Sequence, residues 1–227
     1  MMIPRLSRFD YEFPDPRSAS SEGIVAWGGD LSPTRVLRAY RSGIFPWYSK
    51  SDPILWWSVD PRLVLDLGDL KVSRSLKKSM KKFTFSLDRH FEDVVQHCSR
   101  VKRRDQEGSW IVPEMIDAYG ELHTLGHAHS VECYEGGKLV GGLYGVVVGG
   151  VFCGESMFSL VSDASKASLA FLVEHLSSNG FSFIDAQVST PHLLAMGAKE
   201  ISRDEFLLKL EKALKCECSF TAQECDE

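Results

Sequence analysis

The sequence predicts an α+β fold with a mostly antiparallel sheet, and three observations support this. Apolar stretches of strand length follow one another from residue 130, and the glycine pairs Gly136-Gly137 and Gly149-Gly150 supply the turns of a meander. Helical periodicity then interrupts the strands twice, which is typical of α+β domains. The expected elements are strands at 130–134, 139–148 and 151–159, a helix at about 163–178, a strand at 181–187 and a last helix at about 203–214.

The first 62 residues are expected to form a small domain of their own. A short strand is predicted at 23–27, and a helix follows with Ser32 as N-cap, Pro33 in its first turn and Gly43 beyond its end. Its buried stripe is predicted to contain Val36, Leu37 and Tyr40. The predicted organisation is a small N-terminal domain at 1–62, a larger domain at 63–215 that begins with a strand at 63–67, and an acidic, cysteine-containing tail at 216–227.

The composition argues against a membrane protein and against a metal-binding protein. The 227 residues begin without an apolar leader, and no apolar run approaches the length of a membrane span, so a cytoplasmic protein without membrane attachment is expected. The six cysteines lack the spacing of a zinc site. His123, His127 and His129 are not expected to bind a metal, because Gly126 ends the helix predicted at about 113–126 that would align the first two.

Positive charge is concentrated in one segment. Residues 71–104 hold eleven Lys or Arg against three acids, whereas the whole chain has a net charge of −5. Ser73 is expected to cap a helix there, with basic side chains at i, i+3, i+4, i+7 and i+8 on one face. A surface helix that only meets solvent is the alternative. However, the basic face has no acidic residue that could reduce the repulsion between its positive charges through i,i+4 pairs. The expected partner is therefore a phosphate backbone. The face consists of Arg74, Lys77, Lys78, Lys81 and Lys82.

Glu155 is the first candidate for chemistry, because it lies within an apolar strand. A carboxylate among large apolar side chains is unfavourable unless it has a partner or a task. Its partners are expected from the strand at 181–187, where Asp185 and Gln187 share one face. The two strands predict an apolar cleft with a small polar floor. Alternation along the Glu155 strand is expected to place Val151, Cys153, Glu155 and Met157 on one side and Phe152, Ser156 and Phe158 on the other.

Ten longer motifs run through most of the chain. The first four are Trp27-Gly-Gly-Asp-Leu-Ser-Pro33, Gly43-Ile-Phe-Pro-Trp47, Pro53-Ile-Leu-Trp-Trp-Ser58 and Asp60-Pro-Arg62. The others are Val72-Ser-Arg-Ser75, Leu122-His-x-x-Gly-His-Ala-His-Ser130, Gly141-Gly-Leu-Tyr-Gly145, Phe152-Cys-Gly-Glu-Ser-Met-Phe-Ser159, Asp163-Ala-Ser-Lys166 and Ile184-Asp-x-Gln187. From about residue 9 to 206 the sequence resembles the leucyl/phenylalanyl-tRNA–protein transferases.

The resemblance implies an enzyme that moves Leu or Phe from charged tRNA to the N-terminal Arg or Lys of a protein, marking it for N-degron proteolysis. It also implies a monomer without cofactors, whose larger domain is similar to the GCN5-related N-acetyltransferases. By position it makes Asp185 and Gln187 the catalytic pair and the basic face the surface for the tRNA acceptor stem. Trp47, Trp110 and Tyr119 would surround the terminal adenosine and the cleft, and Leu143, Phe152, Glu155 and Met157 would line the aminoacyl pocket.

Two departures from the family pattern stand out. Ala186 replaces a cysteine that many relatives carry, so that thiol is not essential, and Leu143 replaces the Met of some relatives. The tail cysteines Cys216, Cys218 and Cys225 have no counterpart that assigns them a role.

An aminoacyl ester is already activated, so the implied reaction needs no ATP, metal or covalent intermediate. Asp185 is expected to take the proton of the amine or to polarise the amine through Gln187, and the 2′-hydroxyl of the tRNA is the alternative proton carrier. Glu155 would meet the positive charge of the acceptor. Two other classes stay open, an acyl-CoA-dependent acetyltransferase and a non-catalytic RNA-binding module. An acetyltransferase of this kind would carry a glycine-rich loop for the pyrophosphate, and this sequence has none before the helix at 163–178. An RNA-binding module would not explain why Asp185, Gln187 and Glu155 surround an apolar cleft.

Overall fold

The structure is a computed structural model that describes residues 2–101 and 111–220. Trp110 and Cys225, both singled out in the sequence, lie outside the described residues. Within the described part, no helix combines the length and the apolar character that crossing a bilayer requires.

The N-terminal part contains a four-stranded sheet and an α-helix of nine residues. The predicted strand at 23–27 is confirmed as β2, and the helix between Ser32 and Gly43 is confirmed as α1. Gly43 follows α1 with a φ of 76°, and a Cβ at this position would lie 2.7 Å from Leu207. The sheet has the order β1-β2-β4-β3. The elements are β1 (Arg5–Leu6), β2 (Ile24–Gly28), α1 (Pro33–Arg41), β3 (Phe45–Pro46) and β4 (Leu55–Trp57).

The rest of the chain forms a seven-stranded sheet, and the α+β prediction is confirmed. Its strand order is β11-β5-β10-β9-β8-β7-β6, and every neighbouring pair is antiparallel except β9 with β10. The predicted meander corresponds to β7, β8 and β9. The strands are β5 (Arg62–Asp66), β6 (Thr84–Leu87), β7 (Ala128–Glu135), β8 (Lys138–Val148), β9 (Val151–Ser159), β10 (Phe183–Gln187) and β11 (Lys199–Ile201).

Six further helices are found among the described residues of this second part. The sequence does not predict α3 or the strand β6 before it. The helix with the basic face is shorter than predicted, because it ends at Met80 and leaves Lys81 and Lys82 in the following turn. Ser73 caps it as expected, accepting a hydrogen bond from Leu76 N at 3.1 Å. The helices are α2 (Arg74–Met80), α3 (Phe91–Arg100), α4 (Pro113–Thr124), α5 (Ala164–Ser178), α6 (Pro191–Ala195) and α7 (Arg203–Ala213).

The two faces of the large sheet carry separate apolar cores. One face packs against α1, α3 and α4, and the other packs against α5. Alternation along β9 assigns Val151 and Cys153 to the first core and Phe152 to the second. The expected pattern is wrong beyond this point, since Met157 belongs to the second core and Phe158 to the first.

A β-bulge at Glu155 causes this inversion. On β8, Tyr144 pairs with Ser156 but Gly145 pairs with Gly154, so Glu155 is the extra residue of β9. A bulge shifts the alternation of all following residues by one position. The two strands approach each other closely beside the bulge, and a Cβ at Gly145 would lie 2.3 Å from the carbonyl oxygen of Cys153. The bulge therefore brings Phe152 and Met157 to the same face and lets Glu155 leave the regular pleat.

Candidate active site

Glu155 and Gln187 lie where two neighbouring strands of the large sheet separate. The parallel pairing of β9 and β10 ends at Asp185 opposite Cys153. Glu155 and Gln187 come two residues further along their strands, and a cavity of about 480 Å³ opens there. The volume is within the roughly 300–1,000 Å³ range of small-ligand pockets.

The cavity is largely apolar. Its walls come from both parts of the chain, because Phe45, Pro46 and Trp47 line it together with residues of the large sheet, α5 and α6. The polar residues of the lining are Tyr144, Glu155, Ser156, Gln187, Thr190 and His192. The predicted apolar cleft with a polar floor is therefore present. Its apolar lining includes Leu143, Phe152, Met157, Leu169, Leu172, Ile184 and Leu193.

Three side chains of the described residues donate hydrogen bonds to the Glu155 carboxylate. Tyr40 Oη donates to Oε1 at 2.6 Å and Tyr119 Oη donates to Oε2 at 2.6 Å. Gln187 Nε2 donates to Oε1 at 3.0 Å. The two tyrosine hydroxyls are also 2.7 Å apart. The carboxylate is thus fixed by groups from α1, α4 and β10, which lie far apart in the sequence.

Burial raises the pKa of Glu155 to about 7, although the hydrogen bonds from Tyr119, Tyr40 and Gln187 oppose this shift. The nearby charge of Asp185 raises it further. Burial, together with the Glu155 charge, also raises the pKa of Tyr40 and of Tyr119 well above 10.0. Both tyrosines therefore stay protonated as donors, while Glu155 can gain or lose a proton near neutral pH.

Tyr40 is a site residue that sequence reasoning missed. The sequence places it only in the buried stripe of α1, and it is indeed buried. A tyrosine within an apolar stripe carries a hydroxyl that needs a partner when it is buried. That requirement is the only signal in the sequence, and it does not name the partner.

Asp185 has a different environment from Glu155. Its two oxygens accept hydrogen bonds from Arg62, from Nε at 2.8 Å and from Nη2 at 2.7 Å, and both side chains are at most 2% exposed. Arg62 also lies over the rings of Phe45 and Phe206. Asp185 Oδ1 accepts a further hydrogen bond from the backbone N–H of Gln187 at 3.1 Å. The aspartate is therefore a buried anchor and does not line the cavity.

The prediction that Asp185 and Gln187 present one shared face to the cleft is wrong. The pairing with β5 shifts between these two residues, and Gln187 has a left-handed φ of 62°. This conformation turns the Gln187 side chain to the cavity, while Asp185 faces Arg62. The catalytic roles implied for the pair stay predictions.

The remaining predicted residues fall into three groups. Trp47, Leu143, Phe152 and Met157 line the cavity, and Tyr119 contacts it through Glu155. Trp110 lies outside the described residues. The basic side chains are all exposed, on α2 and in the turn after it, and none of them lines the cavity: Arg74, Lys77, Lys78, Lys81 and Lys82.

Comparison with known proteins decides the family. A model of the leucyl/phenylalanyl-tRNA protein transferase family matches residues 64–211, and a model of the N-terminal domain of the same family matches residues 29–60. The chain belongs to the leucyl/phenylalanyl-tRNA–protein transferase family. One curated relative, a leucyl/phenylalanyl-tRNA–protein transferase of Sulfurimonas denitrificans, is 59% identical over 93% of this chain and 92% of its own length.

A second relative of the same name, from Maridesulfovibrio salexigens, is 51% identical over 95% of this chain and 90% of its own length. Among solved structures, a GCN5-related N-acetyltransferase from Kribbella flavida covers 72% of this chain and 58% of its own, with a TM-score of 0.37 and 12% identity. A likeness of that strength carries no weight for function. The family is therefore established by sequence, and the transferase is an aminoacyltransferase enzyme.

The buried ion pair yields a first prediction. Arg62→Met keeps most of the packing volume but leaves Asp185 buried without its cation, so the free energy of unfolding should fall by about 3–5 kcal/mol. Arg17→Met is the matched control, because Arg17 makes the same Nε–Oδ1 contact with Asp204 at 2.7 Å on the surface. That exposed pair should be worth less than about 1 kcal/mol.

Adding Asp185→Leu to Arg62→Met should restore much of the stability, because no uncompensated charge then remains. Denaturant unfolding of the wild type and the three variants measures this directly. Equal destabilisation by Arg62→Met and Arg17→Met would contradict the assignment of Asp185 as a charge that depends on Arg62.

Proposed function

We propose that this aminoacyltransferase moves Leu or Phe from aminoacyl-tRNA to the N-terminal Arg or Lys of acceptor proteins, which marks them for N-degron proteolysis. The main support is a cavity with an apolar wall and an anchored carboxylate in a chain of this family. The bond that forms is an amide between the acceptor nitrogen and the aminoacyl carbonyl. The bond that breaks is the ester to the tRNA, whose terminal hydroxyl leaves with a proton.

The apolar wall suits the side chain of the transferred amino acid. Leu143, Phe152, Met157 and Leu172 present no charged group, so Leu and Phe gain from burial while polar side chains lose their hydration. Met157 is flexible enough to pack against either shape. Discrimination against β-branched residues would rest on shape, and such pockets separate similar apolar groups by only about 1–3 kcal/mol.

Glu155 is the best-placed group to receive the acceptor's N-terminus. An α-amino group has a pKa of roughly 8 and arrives mostly protonated at neutral pH, whereas the attack requires the free amine. A carboxylate with a pKa of about 7 at the cavity can bind the ammonium and take its proton. Tyr40 and Tyr119 hold the carboxylate in place during that transfer.

Gln187 would orient the amine beside Glu155, since its amide contacts both the carboxylate and the cavity. Asp185 would act through Gln187 rather than on the substrate, because both of its oxygens are engaged by Arg62. It holds the backbone N–H of Gln187 and so supports the left-handed conformation that points the amide to the cavity. In this proposal Asp185 is a positioning residue.

The exposed basic face would bind the acceptor stem of the tRNA through its phosphates, with Trp47 and Trp110 enclosing the terminal adenosine. Phosphate contacts of this kind are independent of sequence, so tRNAs with different stems would be accepted. We further propose that the enzyme acts as a monomer in the cytoplasm, where charged tRNA and its acceptors meet.

An assay with radiolabelled Leu-tRNA and an acceptor that begins with Arg tests the transfer. Label should appear in the acceptor, and an otherwise identical acceptor that begins with Gly should stay unlabelled. A parallel reaction with labelled acetyl-CoA distinguishes an acetyltransferase. Binding of tRNA without label transfer would overturn the proposed function.

The pKa of Glu155 yields a pH prediction. Glu155 accepts a proton only when it is ionised, so kcat/KM should rise as the pH increases through about 7. Glu155→Gln cannot accept a proton and should lower turnover by ~10²-fold, leaving only the titration of the amine in its pH profile. Glu135→Gln, an exposed change of the same kind, should match the wild type.

The pH dependence of stability provides a second test of the raised pKa of Glu155. Its pKa is 4.5 when unperturbed and about 7 in the fold, so its contribution to the free energy of unfolding declines as the pH rises across this window. Melting curves of Glu155→Gln should lack that decline. A folded Glu155→Gln variant that turns over within a few-fold of the wild type would exclude Glu155 as the proton acceptor.

The basic face yields a prediction on salt dependence. Changing Lys77, Lys78 and Lys81 to Gln should weaken tRNA binding and lower the slope of log Kd against log salt by up to ~0.9 for each phosphate that the variant no longer neutralises. Turnover at saturating tRNA should change little. Three exposed lysines elsewhere provide a control with the same change of charge: Lys138, Lys212 and Lys215. Equal slopes for the two triple variants would contradict a localised tRNA surface.

A further inference from the structure

The C-terminal tail buries an aromatic ring in the second apolar core. Phe220 is the last residue that the structure describes, and it is only 9% exposed although the tail is predicted to be acidic. The proposed function gives this segment no role. Burying a ring favours one docked position of the chain that carries it, so the neighbours of Phe220 indicate what the tail does.

The path of the tail is fixed at two points before Phe220. A Cβ at Gly149 would lie 2.6 Å from Leu214 Cα, so the chain that follows α7 passes directly over the turn between β8 and β9. Cys218 Sγ then donates a hydrogen bond to the carbonyl oxygen of Gly180, just beyond α5, at 3.1 Å. The tail therefore runs from this turn to the end of α5, where Phe220 packs.

Phe220 contacts four rings there. It stacks on His129 of β7, with ring centroids 4.1 Å apart, and on Phe152 of β9, at 6.0 Å. His175 of α5 and Phe181 meet the same ring edge-on, at 4.7 and 6.4 Å. Because β8 lies between β7 and β9, a ring that stacks on both His129 and Phe152 spans β8. Stacked and edge-on rings at such distances attract each other.

His129 gives Phe220 a firmly oriented support. Its Nδ1 lies 2.7 Å from Asp88 Oδ2, and its Nε2 lies 3.2 Å from the carbonyl oxygen of Gly126. Asp88 is itself fixed, since its Oδ1 accepts a hydrogen bond from Ser130 N at 2.8 Å. Both ring nitrogens of His129 are thus engaged, and the imidazole holds one orientation under Phe220.

Phe152 connects Phe220 with the cavity. Phe152 lines the cavity, whereas Phe220 is not a lining residue. The Phe152 ring extends over β8 at Gly145, where a Cβ would lie 2.5 Å from Cε1 of Phe152. The absence of a side chain at Gly145 leaves the ring this space, and Phe220 stacks on it. Since packed side chains move partly into space that a neighbour vacates, the size of residue 220 affects where the Phe152 ring lies.

We propose that Phe220 is a positioning residue of the amino-acid pocket, which holds the Phe152 ring against the cavity and so sets the width available to the transferred side chain. A narrower pocket packs Leu well, and a wider one gives more room to the ring of Phe. This inference rests on the proposed function, because it concerns the choice of the amino acid that is transferred. It gives the C-terminal tail a part in that choice.

The test measures kcat/KM with Leu-tRNA and with Phe-tRNA, and its readout is the ratio of the two values. Phe220→Ala should raise the ratio of Phe over Leu by about threefold or more, because the Phe152 ring gains space to move away from the cavity and the wider pocket packs Leu less well. Phe220→Val removes less volume and should change the ratio in the same direction. This milder variant keeps the test decisive if the alanine variant does not fold.

A double-variant cycle tests the route through Phe152. In a Phe152→Leu background, Phe220→Ala should change the ratio by less than about twofold, because the ring that transmits the effect is absent. An effect of Phe220→Ala that is as large without Phe152 as with it would overturn the inference, since Phe220 would then not act through Phe152.

Phe85→Ala is the matched control for lost packing. Phe85 of β6 stacks on Phe171 at 4.8 Å and packs against the same apolar core, but it is not a lining residue of the cavity. Both alanine variants lose a stacked ring and should lower the melting temperature. A changed ratio is expected for Phe220→Ala and not for Phe85→Ala.

An equal decrease of both rates in Phe220→Ala, with the ratio unchanged, would overturn the inference and make Phe220 a packing residue that anchors the tail. A similar change of the ratio in Phe85→Ala would overturn it too, because general loosening of the core would then explain the effect. Failure of the wild type to transfer from either tRNA would instead overturn the proposed function.

Discussion

The arrangement of the site depends on one desolvated carboxylate. Glu155 occupies a β-bulge at the point where β9 and β10 stop pairing, and it is held by Tyr40, Tyr119 and Gln187. An ionised carboxylate in such a place is unfavourable without donors, and burial still raises its pKa to about 7. The same contacts bring α1 of the N-terminal part, α4 and the end of β10 to one point. A requirement for hydrogen bonds thus joins the two sheets at the cavity.

The two carboxylates of the site, Glu155 and Asp185, have different surroundings. Among the residues that the structure describes, the donors to Glu155 are neutral, and burial raises its pKa to about 7. Asp185 is paired through both oxygens with Arg62, and its charge is compensated in the interior. Different surroundings commonly give neighbouring carboxylates different roles in this way. The proposed function assigns proton transfer to Glu155 and positioning of Gln187 to Asp185.

Much of the fold was predictable because it rests on local signals. Ser32, Pro33 and Gly43 delimit α1, and glycine turns delimit β7 to β9. The short strand β6 and helix α3 lacked comparable signals. The location of the site was predictable, since Glu155, Gln187 and part of the apolar lining (Trp47, Leu143, Phe152 and Met157) were expected at one cleft.

The geometry of the site depends on a bulge and on long-range contacts, which the alternation of apolar and polar residues along a strand does not predict. One bulge residue reverses the faces of Met157 and Phe158. The partner of Asp185 is Arg62, 123 positions away, and the donor Tyr40 lies 115 positions before Glu155. Such long-range pairs leave no periodic trace in a single sequence. The family motifs identified the reaction, whereas only the structure distinguishes the surroundings of the two carboxylates.

The central claim is that Glu155 exchanges a proton near neutral pH. Its most direct test is a carbon NMR titration of the protein labelled at glutamate side-chain carboxyls, with the Glu155→Gln variant identifying the resonance. The account predicts that the Glu155 carboxyl titrates with a midpoint near 7. A midpoint close to the ordinary value of 4.5 would contradict it, because the carboxylate would then be too weak a base to compete for the proton of the amine.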